Sequence, residues 1–287
     1  MGTDMRQERY RFFSLLVSGI ILLQIGAGAV AAPPDQPWTQ LEPGLDLGLF
    51  PSPRPSPTGD SLIRVLRIDP ERFELRLLNA SATKDKRRLT AKEWCERFQC
   101  IAAINASMFQ TDFSTSISLM RTGEHVNNPR LTRDRAILAF DRLSRDVPPV
   151  LMIDRDCDDL DALRGKYRTL IQSIRMLSCK GKNVWAQQPQ RWSAAAVGAD
   201  RKGRVLFIHV RSPFTTHDLV NILMELPLDL ARAMYVEGGP EAQLFIGAGG
   251  RTEEFVGTYD IPFYDSDSGD RARPVPNVIA VTRKQGR

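Results

Sequence analysis

The side chains best suited to chemistry concentrate in three stretches of this 287-residue chain. His209-Val210-Arg211-Ser212-Pro213-Phe214-Thr215-Thr216-His217-Asp218 sets two of the three histidines beside an arginine and an acid, where a strand pattern gives way to a helix pattern. Arginine offers a planar fork that matches phosphate oxygens, and a helix start favours negative charge. Histidine titrates near neutrality, so His217 is a candidate for proton transfer. Asp218 beside it reads as a second acid or as a helix cap. His209 follows Ile208 in an apolar run and reads equally as a core histidine.

The other two stretches share a form, an apolar strand ending in a polar side chain and then small residues. They are Ile101 to Asn105 followed by Ala106-Ser107, and Met234 to Glu237 followed by Gly238-Gly239. Small residues after a strand let a ligand approach main-chain N–H groups, and such amides hold anions. Asn105 and Glu237 would then stand at the rim of a site. The aspartates Asp154, Asp156, Asp158, Asp159 and Asp161 invite a calcium-loop reading, but the EF-hand frame needs glycine sixth and glutamate twelfth, where this chain has Asp159 and Gly165. With no nucleotide-binding glycine loop, zinc spacing or nucleophile elbow either, no cofactor and no metal is assigned.

These residues need elements to carry them. Ser61 to Asp69 and Arg72 to Ala80 alternate apolar and polar residues around Asp69-Pro70, the pattern of an antiparallel hairpin. Thr90-Ala91-Lys92-Glu93 has capping-box spacing and predicts a short helix with Trp94 and Phe98 on one side. Strands are expected at Ile101–Ile104, Thr115–Arg121, Arg135–Phe140, Ala194–Asp200, Arg204–Arg211 and Ala233–Val236. A helix begins after Thr215, with Leu219, Leu223 and Leu226 on one face, and stops at Pro227. Strands outnumber helices, so the expected class is α+β, a mostly antiparallel or mixed sheet core with a few packed helices in a single domain.

Arg6, Arg9 and Arg11 precede an apolar run from Phe12 to Val30, and Ala29-Val30-Ala31 has cleavage-site spacing. Residues 1–31 therefore read as a secretory signal, and the expected location is periplasmic or secreted. An uncleaved signal anchor is the alternative and the one membrane attachment considered. Residues 32–57 are rich in proline and predict an extended surface tether, leaving 58–287 as the working domain. The formal net charge is +5 with the charges interspersed, which gives no stripe for nucleic acid. In an oxidising compartment the four cysteines permit disulfides in three connectivities. Closeness along the chain favours Cys95 with Cys100 and Cys157 with Cys179.

Three motifs in order resemble the phosphodiester glycosidase family: Ala102-Ala103-Ile104-Asn105-Ala106-Ser107-Met108-Phe109, Trp192-Ser193-Ala194-Ala195-Ala196-Val197-Gly198-Ala199-Asp200, and Tyr235-Val236-Glu237-Gly238-Gly239-Pro240. The resemblance runs from about Ser61 to Val281. The family usually has Asn-Gly-Gly before an aromatic pair, whereas Ala106 and Ser107 stand here at the glycines. It usually has Asp-Gly-Gly-Gly-Ser, whereas this chain has Glu237-Gly238-Gly239-Pro240-Glu241.

The resemblance implies hydrolysis of a sugar phosphodiester at the anomeric carbon, with phosphate leaving, on carbohydrate or phosphorylated glycans of the envelope or beyond it. Such chemistry needs charge stabilisation on phosphate, a carboxylate near the anomeric centre and hydrogen bonds to sugar hydroxyls. It puts Arg211 and Arg191 on phosphate, Glu237 as acid or base, and Asn105 with the Gly238 and Gly239 amides in orientation. His217 or Asp218 is the second proton-transfer group. A non-catalytic envelope protein that binds glycans or phosphopolymers is the competing expectation. A third is an assembly scaffold, read from the tether and from a long loop over Arg251–Pro276.

Overall fold

In the computed structural model, which describes residues 37–258 and 271–284, the chain walks through sixteen strands and three α-helices. The strands begin with β1 (Trp38–Glu42), β2 (Leu45–Pro51), β3 (Leu62–Ile68) and β4 (Phe73–Asn79), then helix α1 (Ala91–Phe98) leads into β5 (Ala102–Asn105). Next come β6 (Met120–Thr122), β7 (His125–Asn128), β8 (Ala136–Arg142) and β9 (Val150–Asp154), helix α2 (Leu160–Arg164) and β10 (Tyr167–Leu177). The last part holds β11 (Trp192–Asp200), β12 (Val205–Phe214), helix α3 (Thr216–Glu225), β13 (Leu230–Gly238), β14 (Gln243–Ala248), β15 (Arg251–Val256) and β16 (Asn277–Arg283).

Every pairing between these strands is antiparallel. One sheet runs β1-β2-β3-β12-β11-β13-β10-β6-β7, with β8 and β9 branching from β10, and the other runs β15-β14-β5-β16-β4. Their inner faces meet in a shared core that includes Leu66, Phe207, Val197 and Val236 from the first and Leu244, Ile104 and Ile279 from the second. Helix α3 covers the outer face of the first sheet, laying Leu219, Ile222 and Leu223 on Val65, Ile208 and Tyr235. Helix α1 covers the outer face of the second, with Trp94 against Ala103, Phe245 and Val278. The result is helix, sheet, sheet, helix, the α+β class expected from the strand-rich pattern.

Local signals explain the helices. Thr90 accepts from the Glu93 N–H while Glu93 reaches back to the Thr90 N–H, a complete capping box. Trp94 and Phe98 stack with ring centroids 5.4 Å apart, and Cys95 is bonded to Cys100 just beyond the helix end. Thr215 caps α3 by accepting from the Asp218 N–H.

Four expectations are corrected. The segments Ser61–Asp69 and Arg72–Ala80 do form strands, but β3 pairs with β2 and β12 while β4 pairs with β16. Asp69-Pro70 is thus a crossing between sheets and not a hairpin turn, because alternation specifies a half-buried strand but not its neighbour. The tether reading of 32–57 gives way over most of its length. Leu45, Leu47 and Phe50 are buried, and β1–β2 extends the first sheet, with prolines kept to strand ends and the edge. Finally, Arg251–Val256 of the supposed loop is strand β15, and Thr115–Arg121 is mostly turn, strand only from Met120. The signal reading of 1–31 lies outside the described residues; no helix among those described is long and apolar enough to cross a membrane.

Candidate active site

The carboxyl of Glu237 sits at the end of β13, where the strand carries a bulge. Ala196 of β11 faces Tyr235 while the next residue, Ala195, faces Glu237, so Val236 is an extra residue in β13. A bulge re-aims the side chains that follow it. Here it brings Glu237 into the same cross-strand row as Ala195, His209 on β12 and Arg64 on β3. Cross-strand partners share a sheet face, and for this row the face is the one toward the second sheet. There Phe255 of β15 lies 5.0 Å from the Arg64 guanidinium and 6.2 Å from the His209 ring.

Glu237 is only 8 % exposed. Its Oε1 accepts from the Gly238 N–H at 3.0 Å, and its Oε2 is buried with no hydrogen-bond partner among the described residues. Burial is the main force on this group and pushes it up to about 8, with Glu241 adding repulsion and the Gly238 N–H acting the other way. At neutral pH the side chain is therefore a carboxylic acid with one oxygen anchored.

The turn after Glu237 is clamped from two strands. Asn105, at the end of β5 and 1 % exposed, donates from Nδ2 to the Glu241 carbonyl at 2.9 Å and accepts at Oδ1 from the Gln243 N–H at 2.7 Å. His209 is fully buried, and its Nε2 lies 3.3 Å from the Ala242 carbonyl between those two contacts. Desolvation, assisted by the charges of Arg64 and Arg211, holds this imidazole down at about 3, so it is neutral. His209 is thus a core histidine, but one that fastens the site. Arg273 closes the other side, with Nη1 3.0 Å from Glu241 Oε1.

Gly238 and Gly239 meet different needs. A Cβ at Gly238 would lie 1.8 Å from the Tyr235 hydroxyl and 3.0 Å from Cδ1 of Trp192, so only glycine fits. Gly239 has φ +63°, in the left-handed region that favours glycine. The Gly238 N–H is already engaged by Glu237, which leaves the expected anion-holding amide occupied.

Arg211 is half-buried on β12, and its carbonyl accepts from Ser193 Oγ; Ser193 adjoins Ala194, which pairs with Gly238. Arg191 is exposed just before β11. His217 and Asp218 belong to a different neighbourhood. His217 Nδ1 is 2.6 Å from the Trp185 carbonyl, and Asp218 accepts from Gln187 at 3.3 Å. None of their hydrogen bonds among the described residues reaches Glu237. They fasten the segment 183–192 to the start of α3. Sequence reasoning missed Tyr235, Trp192, Glu241 and Arg273 as parts of the site. The first two were legible as the aromatic residues opening two of the motifs, whereas Arg273 comes from a distant segment.

Elsewhere, Cys157 is bonded to Cys179, so both cysteine pairings follow the neighbours along the chain. Asp154 lies within 4.8 Å of these sulfurs in a grouping that resembles a metal site. Its oxygens are taken by Arg175 at 2.5 Å and by the Cys179 N–H at 2.8 Å, which makes the cluster a staple between β9 and the end of β10. A cleft of about 1400 Å³ runs along β4 and the turn after β8 and is lined by none of the candidate residues.

A family model described as phosphodiester glycosidase matches residues 98–282. No curated protein matches. Among solved structures, the zebrafish N-acetylglucosamine-1-phosphodiester alpha-N-acetylglucosaminidase catalytic domain, auto-inhibited by its pro-peptide, is similar in fold at 15 % identity, with a TM-score of 0.57 over 85 % of each chain. A hypothetical protein from Synechocystis aligns at 13 % identity with a TM-score of 0.56, covering 84 % of this chain and 62 % of that one.

Proposed function

The chain belongs to the phosphodiester glycosidase family, and from that premise we propose that it is an exported hydrolase that cleaves the bond between a sugar's anomeric carbon and phosphate in envelope or extracellular glycans. The zebrafish relative is named for cutting an N-acetylglucosamine 1-phosphodiester, and a sugar 1-phosphodiester is accordingly the substrate class proposed for this chain.

The observation that carries the reading is the state of Glu237. A buried neutral carboxyl, with Oε1 held by Gly238 and Oε2 unpartnered, is built to donate a proton. As the bond from the anomeric carbon to the phosphate oxygen breaks, Oε2–H passes its proton to that departing oxygen and the carboxylate remains, held by the same N–H. A water molecule then bonds to the anomeric carbon and returns a proton to the carboxylate, which leaves the free sugar and a phosphomonoester. Arg211 and Arg191 supply positive charge at the same end of β11 and β12, where phosphate charge develops. Asn105 and His209 act through the main chain by holding the turn over Glu241 to Gln243, which keeps the acid in register.

The test is release of phosphomonoester from a sugar 1-phosphodiester by Glu237→Gln, which keeps the shape and removes the transferable proton. Turnover should fall by at least about a hundredfold, the usual weight of a general acid. Turnover equal to the parent would remove Glu237 from the reaction. Binding without turnover by the parent itself would favour the glycan-binding alternative, which is supported by Ala106 and Ser107 filling the family's glycine positions as buried side chains.

A further inference from the structure

The segment Asn183-Val184-Trp185-Ala186-Gln187-Gln188-Pro189-Gln190-Arg191-Trp192 has a composition unlike the rest of the chain. It holds two of the four tryptophans and three glutamines, with Arg191 its one charge. Trp185 and Trp192 are both half-buried, and Gln190 and Arg191 are exposed. Aromatic side chains left partly open to water, interleaved with neutral amides, are matched to a ligand with an apolar ring face and a rim of hydroxyls.

The segment is a fixed frame. Asn183 Nδ2 donates to the His217 carbonyl and to Asn221 Oδ1, each at 2.9 Å. The Trp185 indole N–H donates to the Arg175 carbonyl at 2.9 Å, and the Trp185 ring packs on Tyr235 at 5.6 Å between centroids. This rigidity lowers the entropic cost of binding.

The frame packs on the outer face of the first sheet, opposite the face that carries the Glu237 row, and meets that residue only at the strand end. The Tyr235 hydroxyl and the edge of Trp192 flank Gly238, the residue whose N–H holds the Glu237 carboxyl. Nearby in the segment, Gln188 Nε2 is buried without a hydrogen-bond partner among the described residues.

We propose that residues 183–192 form a sugar-binding subsite, in which a neutral pyranose ring of the glycan stacks on Trp192 and the exposed amide of Gln190 binds its hydroxyls. The subsite lies beside the reacting end and makes a chain of at least two sugars a better ligand than a single sugar phosphate. It rests on the reading of Glu237 only for where that reacting end is. His217 and Asp218 acquire a role in it as anchors of the frame.

The experiment uses the full chain carrying Glu237→Gln, so that no turnover intervenes, and titrates it calorimetrically with neutral hexose and N-acetylhexosamine trisaccharides. Saturable binding to at least one probe is expected. Adding Trp192→Ala should weaken it roughly tenfold, the scale of one aromatic contact, with Trp192→Phe retaining most of the affinity. Gln190→Ala, at an exposed position where folding is not at issue, should weaken it roughly threefold, the scale of one hydrogen bond. No saturable binding to any probe would overturn the proposal, as would Trp192→Ala and Gln190→Ala both binding like the parent. If instead Glu237→Gln leaves phosphodiester turnover intact, the catalytic reading fails by itself while this binding result stands.

Discussion

The side chain of Asn105 grips the main chain at Gln243, 2.7 Å from its Oδ1, while its Nδ2 holds the carbonyl two residues earlier at 2.9 Å. The asparagine of one motif thereby fixes the turn that follows the acid of another, although the two motifs lie more than 100 residues apart in the chain.

Asn105→Ala should cost stability and activity together. It removes a donor and an acceptor at a buried position, and leaving buried main-chain groups unpaired costs roughly 1–3 kcal/mol each. Urea unfolding should show a lower midpoint with an unchanged slope. The turnover that remains should show a reduced kcat with little change in KM, because the acid and not the substrate contacts is displaced. A midpoint equal to the parent would mean the turn holds itself.

Glu237 links activity to pH with a definite sign. Its folded value of about 8 lies above the ordinary 4.5, so the group stays protonated through neutrality. kcat/KM should therefore fall above about pH 8 as the acid ionises. Its raised value also means that its contribution to stability is fully present below 4.5 and is lost as pH rises through 8. Thermal melts of Glu237→Gln against the parent from pH 4 to 9 should show the variant gaining relative stability as pH rises. Parallel melting curves would contradict the buried, neutral acid.

Gly238→Ala should be destabilising by about 1–3 kcal/mol, the range for forcing a methyl into a packed site. The collision is with the Tyr235 hydroxyl, 1.8 Å from the added carbon. Tyr235→Phe removes that oxygen, so the double variant should recover part of the loss in a double-mutant cycle. Strict additivity would place the strain elsewhere.

Much of this arrangement was legible in the residues. The capping box at Thr90, the strand ends at Asn105 and Glu237, and the helix after Thr215 all appear where local chemistry puts them. Partner choice was not legible. Alternation in Ser61–Ala80 fits a hairpin as well as two strands in separate sheets, and nothing local decides between them. The proline count in 32–57 hid the buried Leu45 and Leu47, two apart on the face toward the second sheet, and Phe50 on the opposite face. The bulge at Val236 was equally hidden, and with it the row that joins Glu237 to His209, since a one-residue slip changes which face a side chain takes.

His209 supplies the opposite pH dependence. It is wholly buried and held at about 3, below its ordinary 6.5, first by desolvation and then by the charges of Arg64 and Arg211, with its contact to Ala242 opposing. The charged groups acting on it also include Asp60, which favours the proton but does not prevail. As pH falls below 6.5 the unfolded chain takes up a proton that the folded chain refuses, so folding stability drops from there down to about pH 3. Gln in its place keeps a donor able to reach the Ala242 carbonyl and cannot be protonated. His209→Gln should therefore lose little stability at pH 8 and gain on the parent steadily as pH is lowered to 4. Denaturant titrations at pH 8, 6 and 4 check this. A difference that stays constant across the series would mean that His209 is not the neutral, buried imidazole that fastens this turn.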